Sequence, residues 1–291
     1  MALNYGIKKA SGNIIITIDA DCILLPETIE NFVKPFIDKS ISAVVGNVKI
    51  GNTETVVGVV QFLEFLSSFY TKNAESVLGT IYIMGGAAAA FRREVFERVG
   101  LYSEVNITED IDLSVRVRDA GMKVVYEDRA IVYTEGASDI ISLQKQRLRW
   151  KIGWFQTINS NKHLIFSRNN KHNKVLSWFI IPYVYFSNVQ LFFEVWFVLL
   201  LYIYSYLIRD FTPFITWIIA EAIMMCTILI VEIKNIKTKN VFLLTPITWL
   251  LFYLATYVEY YALVSTIINI IRKKEVRWQK WSRKGCNISG N

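Results

Sequence analysis

The chain has 291 residues, of which 53% are hydrophobic and 14% aromatic, and its 32 Lys and Arg exceed its 25 Asp and Glu to give a formal net charge of +7. With a mean hydropathy of +0.33, it carries more apolar residues than a single soluble core of this length absorbs. Three cysteines, Cys22, Cys226 and Cys286, without C-x-x-C spacing exclude a disulfide scaffold and a cysteine-based zinc site. The composition also excludes disorder and collagen. The basic surplus lies mainly beside apolar stretches, as membrane-flanking charge does, so nucleic acid is not an expected partner.

Charge divides the chain in two. Residues 1–174 hold 21 Lys/Arg and 19 Asp/Glu, the balance of a globular domain, whereas residues 175–291 hold 11 and 6. The first ten residues, MALNYGIKKA, lack an apolar h-region, so no signal peptide is expected, nor any span before residue 175. Asn13 to Ile18 (NIIITI) reads as a buried parallel strand that delivers Asp19-Ala20-Asp21 at its C-terminal end, where open α/β sheets bind ligands. Two carboxylates at that spacing suit Mg²⁺ or Mn²⁺ bridging a diphosphate. The alternative is a plain turn with Asp favoured as a cap before Pro26-Glu27.

Ala43–Val48 and Ile81–Met84 read as strands and Val56–Leu78 as a helix. The run Gly85-Gly86-Ala87-Ala88-Ala89-Ala90 permits close approach of a backbone or a flat substrate, or tight packing. Thr108 has the features of an N-cap for a helix that opens with Glu109 and Asp110 and ends at Gly121; acidic residues there also complement the helix dipole. Met122–Tyr126 and Ala130–Thr134 suggest a hairpin. A helix from about Asp139 to Gly153 carries Gln146-Arg147-Leu148-Arg149-Trp150, and Gln146, Arg149 and Trp150 at i, i+3, i+4 share a face. An amide, a guanidinium and an indole together suit a phosphate and a sugar ring, although a basic helix beside a membrane also suits anionic lipid.

Three apolar stretches follow: Ser177–Ile208 with Glu194 as its one charge, Phe211–Ile233 with Glu221 and Glu232, and Val241–Ile271 with Glu259. Each is long enough to cross a bilayer. The first is one long helix, an interfacial piece plus a span, or two short spans broken near Pro182. The positive-inside rule assigns Lys162–Lys174, the 234–240 loop and the basic tail to the cytoplasm, which needs an even number of crossings. Four crossings, or three with an external tail, satisfy the pattern in different ways. A carboxylate within a span usually faces protein or a wet cavity, so Glu194, Glu221 and Glu259 are candidates for function or helix pairing.

In order, ALNYGI (2–7), the strand into DAD (19–21), the small-residue run into FRRE (87–94), TED (108–110) and QRLRW (146–150), followed by apolar spans, resemble the processive family 2 inverting glycosyltransferases. These include the synthases of cellulose, chitin, hyaluronan and poly-β-1,6-N-acetylglucosamine, the last being the most similar through ITEDIDLSVRVRDAGMKVVYEDRA. The resemblance implies an α/β fold: a partial GT-A (nucleotide-diphospho-sugar transferase) domain over 1–160, a basic interfacial connector over 161–176, three or four transmembrane helices over 177–271 and a basic tail over 272–291. It implies that Asp19 and Asp21 meet the donor diphosphate and its Mg²⁺ or Mn²⁺. Asp110 corresponds to the general base, and Gln146, Arg147, Arg149 and Trp150 to the motif that touches the diphosphate and the acceptor end of the glycan.

The implied activity is transfer of a sugar from a UDP-sugar to a growing β-glycan by a multi-pass enzyme of the cell membrane with a cytoplasmic catalytic domain. Two other readings are a non-processive transferase to a lipid acceptor and a catalytically silent membrane subunit. In the family the catalytic domain begins further upstream, with a strand and an acidic residue that grips the uracil, whereas here Met1 directly precedes the ALN segment. The expectation is therefore a domain lacking that first part: a fragment, the product of a disrupted or split reading frame, or a chain dependent on another polypeptide, with a small membrane subunit or a chain supplying the missing N-terminal half as the candidate partner.

Overall fold

In the computed structural model, residues 2–231, 248–274 and 285 are described. Helix α1 (Ala2–Lys9) precedes strand β1 (Ile14–Ile18), and β2 (Ile23–Leu24), β3 (Ile41–Ile50), β4 (Ala88–Arg92) and β5 (Lys123–Thr134) complete a sheet of order β1-β4-β3-β5-β2. Among the described residues only the β3–β5 pair is parallel; the other neighbours run antiparallel. Every residue of β3 is buried, as befits a central strand covered on both faces.

β1 departs from the expected parallel strand. It lies at the sheet edge, antiparallel to β4, with burial alternating along its length. A short β-branched run fits any half-buried pleated surface, and neither its direction nor its neighbours are written in the pattern. On one face of the sheet Ile15, Ala43, Val45, Ala89, Phe91 and Val124 pack with Ile7 of α1, with Val95 and Phe96 of α4 (Arg93–Val99), and with Leu113 and Val117 of α5 (Glu109–Asp119). On the other, Val44, Ala88, Ala90, Ala130 and Val132 meet Phe32 of α2 (Thr28–Val33) and Phe36 of the 3-10 turn Lys34–Ile37. The alanines of β4 thus leave room for phenylalanines on both faces.

The expected hairpin at 122–134 is a single strand with a bulge. Gly46 pairs with Glu127 and the next residue, Asn47, pairs with Ile131, so Asp128, Arg129 and Ala130 bow out of the ladder without reversing the chain. Asn47 Nδ2 donates to the carbonyl of Asp128 (3.0 Å) and Asn31 Nδ2 to that of Arg129 (2.9 Å), giving the bulged carbonyls partners. Ile81–Met84 is not a strand either. Ile81 and Met84 are buried, but the Met84 N–H is satisfied by Ser114 Oγ (2.9 Å) rather than by a ladder.

Helix α3 (Val56–Leu78) opens at Thr55, whose side chain accepts from the Gly58 N–H (3.0 Å), and closes at Gly79 with φ +63°. Helix α6 (Ile140–Ser160) is capped by Asp139, whose carboxylate accepts from Ser142 N (2.9 Å), and runs past the expected stop at Gly153. A π-helical turn (Leu176–Ile180) leads without a break into α7 (Ile181–Ile208), with Pro182 at the junction where the helix passes from π to α, so this stretch is one long helix. α8 (Thr212–Val231) and α9 (Thr248–Ile271) follow.

Among the described residues two helical runs, Leu176–Ile208 and Leu250–Ile271, are long and apolar enough to cross a membrane. Phe193, Trp196, Phe197, Leu200, Tyr206 and Leu207 of α7 stand exposed, as lipid-facing side chains do. Val59, Leu63 and Leu66 of α3 pack with Leu229 of α8 and with Leu251 and Ala255 of α9, so these helices seat directly on the α/β part. The basic 234–240 loop and most of the 272–291 tail lie outside the described residues.

Candidate active site

A cavity of about 1140 Å³ opens between the sheet and the C-terminal helices, and Asp19, Asp21, Asp110, Gln146, Arg147, Arg149 and Trp150 all line it. They arrive from separate elements. Asp19 and Asp21 sit on the turn after β1, which is closed by Cys22 N donating to Asp19 O (3.1 Å) and tied to the small-residue run by Asp19 N donating to Ala87 O (3.1 Å). Asp110 stands in the first turn of α5, where the helix dipole favours negative charge. Its carboxylate packs on Gly86: a β-carbon there would lie 3.2 Å from Asp110 Oδ2. The glycine run therefore makes room for the carboxylate at the cavity wall.

Ser114 Oγ donates to the Asp110 carbonyl (2.6 Å) and accepts from Met84 N, locking the start of α5 to the segment that carries the glycines. Thr108 occupies the N-cap position as expected, but its hydroxyl makes no cap hydrogen bond and is buried. Glu109, beside Asp110, has its carboxyl pushed up by burial and by the Asp110 charge, against the pull of its own backbone N–H and of Arg149.

Cys22 lies beside Asp19 and Asp21 and donates to Ala87 O (3.5 Å). Burial first, and then the charges of Asp19 and Asp21, hold its thiol up to about 11. Two hard oxygen donors in a negative field fit a divalent cation, which Asp19 and Asp21 would hold together with further oxygen ligands. Among the described residues no group of three or more His, Cys, Asp or Glu side chains forms a metal cluster by itself. Gln146 is buried at the cavity wall and its Oε1 has no hydrogen-bond partner among the described residues.

Arg147 and Arg149 diverge. Arg147 Nη2 lies 2.7 Å from Glu64 Oε2 and Nη1 3.4 Å from Glu259 Oε1, and its guanidinium sits 4.6 Å from the Trp150 ring centroid. Sequence reading did not single out Glu64, Lys72 or Glu75, which line the same cavity from α3. Burial pushes the carboxyls of Glu64 and Glu75 up and the Lys72 ammonium down, each against its ion partner. The signal was available: Glu64, Ser68, Lys72 and Glu75 fall at i, i+4, i+8 and i+11, a polar stripe along one face of the helix.

A mixed sheet between helices, with a carboxylate pair on the turn after its edge strand β1 and the start of a second helix facing it across a cavity, defines a GT-A-like sugar-transferase domain. The chain belongs to glycosyltransferase family 2: the family model described as "Glycosyltransferase like family 2" matches residues 1–153. It is 29% identical over 199 residues to a poly-β-1,6-N-acetyl-D-glucosamine synthase of Staphylococcus epidermidis, covering 64% of this chain and 48% of the relative. A synthase of the same name from Staphylococcus aureus (strain COL) is 31% identical over 162 residues, 54% of this chain and 39% of the relative. The chain thus spans about half the length of the curated relatives it matches. The fold is similar to that of a mannosyltransferase from Pyrobaculum calidifontis in complex with GDP-Man and Mn²⁺ (TM-score 0.55, 18% identity, 94% of this chain and 66% of that one).

Proposed function

We propose that the protein is a membrane-bound inverting glycosyltransferase that adds a sugar, N-acetylglucosamine by its relatives' names, from a UDP-sugar to the end of a β-glycan. One observation carries the reading. Asp19, Asp21, Asp110, Gln146, Arg149 and Trp150, spread over more than a hundred residues of sequence, converge on a single cavity that continues between α7 and α9.

Inverting transfer needs a base on the acceptor side and positive charge on the leaving-group side. Asp110 takes the proton of the acceptor hydroxyl as its oxygen attacks the anomeric carbon. The bond from that carbon to the diphosphate breaks, and UDP leaves with its charge met by Arg149. Asp19 and Asp21 would hold a divalent cation, which when bound neutralises the diphosphate. Gln146 offers its amide and Trp150 its apolar ring face to the acceptor sugar. The long apolar helices would embed the enzyme in the cell membrane, with the catalytic part in the cytoplasm where UDP-sugars are made. β1 pairs only with β4 among the described residues, and its outer edge is where further polypeptide, in the same or another chain, would extend the sheet.

The test is incubation of the chain, supplied with the N-terminal segment of a related synthase, in nanodiscs with radiolabelled UDP-N-acetylglucosamine, Mn²⁺ and a β-linked oligosaccharide. Release of UDP with growth of the oligosaccharide is expected. Transfer of one sugar to lipid alone would replace the glycan acceptor by a lipid one, and no transfer from any UDP-sugar would refute the activity.

A further inference from the structure

The cavity wall holds an ion network that the transfer chemistry does not use. Arg147 is gripped by Glu64 of α3 and Glu259 of α9; Lys151, one helical turn further along α6, lies 2.8 Å from Glu259 Oε2 and donates to Asn188 Oδ1 of α7 at 3.1 Å. Two cations face two carboxylates, all largely buried, so the network is neutral as a whole and unbalanced by loss of any member. The terminal nitrogens of Arg147 are both taken up by carboxylates, which leaves its flat face to stack on Trp150. Phe65 flanks the same indole at 6.5 Å.

We infer that Glu259, a carboxylate within an apolar helix, is a positioning residue: through Arg147 and Lys151 it fixes the plane of Trp150 at the cavity where the acceptor sugar arrives. The inference rests on the proposed acceptor role of Trp150. Its physical basis is independent of that role. Removing the Glu259 charge leaves Arg147 and Lys151, four residues apart on one helix face, as two cations with Glu64 as their one remaining carboxylate, an excess positive charge in a low-dielectric wall. Arg147 then relaxes toward Glu64, and the indole beneath it loses its clamp.

The experiment uses the full chain in nanodiscs with its eight tryptophans replaced by 5-fluorotryptophan, the Trp150 resonance being assigned by its loss in Trp150→Phe. Glu259→Gln is expected to move or broaden that ¹⁹F resonance selectively. It should also cut kcat/KM for the acceptor by about ten- to a hundredfold while the donor KM stays within about twofold. Glu64→Gln, which frees Arg147 from the other side and lies outside the apolar helices, should act in the same direction and serves if Glu259→Gln does not fold. A Trp150 resonance unmoved by both variants overturns the inference, as does an equal loss of donor and acceptor affinity, which a merely structural role would give. If the wild-type chain shows no transfer but its Trp150 signal responds, the proposed reaction falls and the clamp stands.

Discussion

Gly153 brings the backbone of α6 so close to Thr108 that a β-carbon on the glycine would fall 2.0 Å from Thr108 Oγ1. Thr108 precedes Asp110 and Gly153 follows Trp150, so this contact sets the spacing between the proposed base and the proposed acceptor platform. Gly153→Ala must push the helices apart. Overpacking of this kind costs about 1–3 kcal/mol, and the displaced geometry should lower kcat about a hundredfold. Thermal unfolding and turnover of the variant check both, and Thr108→Ala in the same chain should recover part of the loss.

Asp110→Asn keeps the shape of the side chain, its contact with Gly86 and its place at the helix N-terminus, and removes the capacity to take a proton. Turnover is expected to fall by about two to four orders of magnitude with UDP binding near normal. Calorimetric titration with UDP and Mn²⁺ beside a rate measurement separates the two effects. Lost nucleotide affinity with an unchanged saturated rate would make Asp110 a donor-binding residue instead.

Gln61 is fully buried in α3 and ties that helix to the turn that launches α6. Its Nε2 donates to the carbonyls of Val57 (3.0 Å) and Ala137 (2.7 Å), and its Oε1 accepts from Ala137 N (3.0 Å). Gln61→Leu strands both polar groups of Ala137 in the interior, at about 1–3 kcal/mol for each unsatisfied group. A lowered unfolding midpoint is expected, with looser presentation of the 146–150 motif, read as faster hydrogen exchange along the first turns of α6.

Much of the site was legible because its chemistry is local. The carboxylate pair, the acidic first turn of α5 and the Gln146-Arg149-Trp150 face are short patterns with fixed spacing, and the fold brings all three to one cavity. What escaped was non-local. Glu127-Asp128-Arg129-Ala130 has the composition of a turn, and only the parallel ladder to β3 on either side makes it a bulge. Ile81–Met84 has a strand's composition but meets α5 instead of a neighbouring strand. The ion pairs of Arg147 with Glu64 and Glu259, from helices far apart in sequence, leave no trace in the local pattern around the arginine.

Cys22 offers a readout of the proposed cation site that needs no turnover. Its thiol stands at about 11 because burial and the negative charges of Asp19 and Asp21 disfavour the thiolate. The sign is fixed: below that value the thiol stays protonated, so at pH 8.5 only about one molecule in several hundred carries the reactive thiolate, against about half for an unperturbed cysteine. Alkylation by iodoacetamide, followed by mass spectrometry of the Cys22 peptide, should be correspondingly slow and should rise with pH up to about 11. A divalent cation on Asp19 and Asp21 cancels the second cause and leaves the first. Mn²⁺ with UDP is therefore expected to lower the apparent thiol value, provided the peptide stays accessible, and Asp19→Asn or Asp21→Asn should lower it without any metal. A Cys22 rate unchanged in both carboxylate variants would show that burial alone governs the thiol and would remove this support for the cation site.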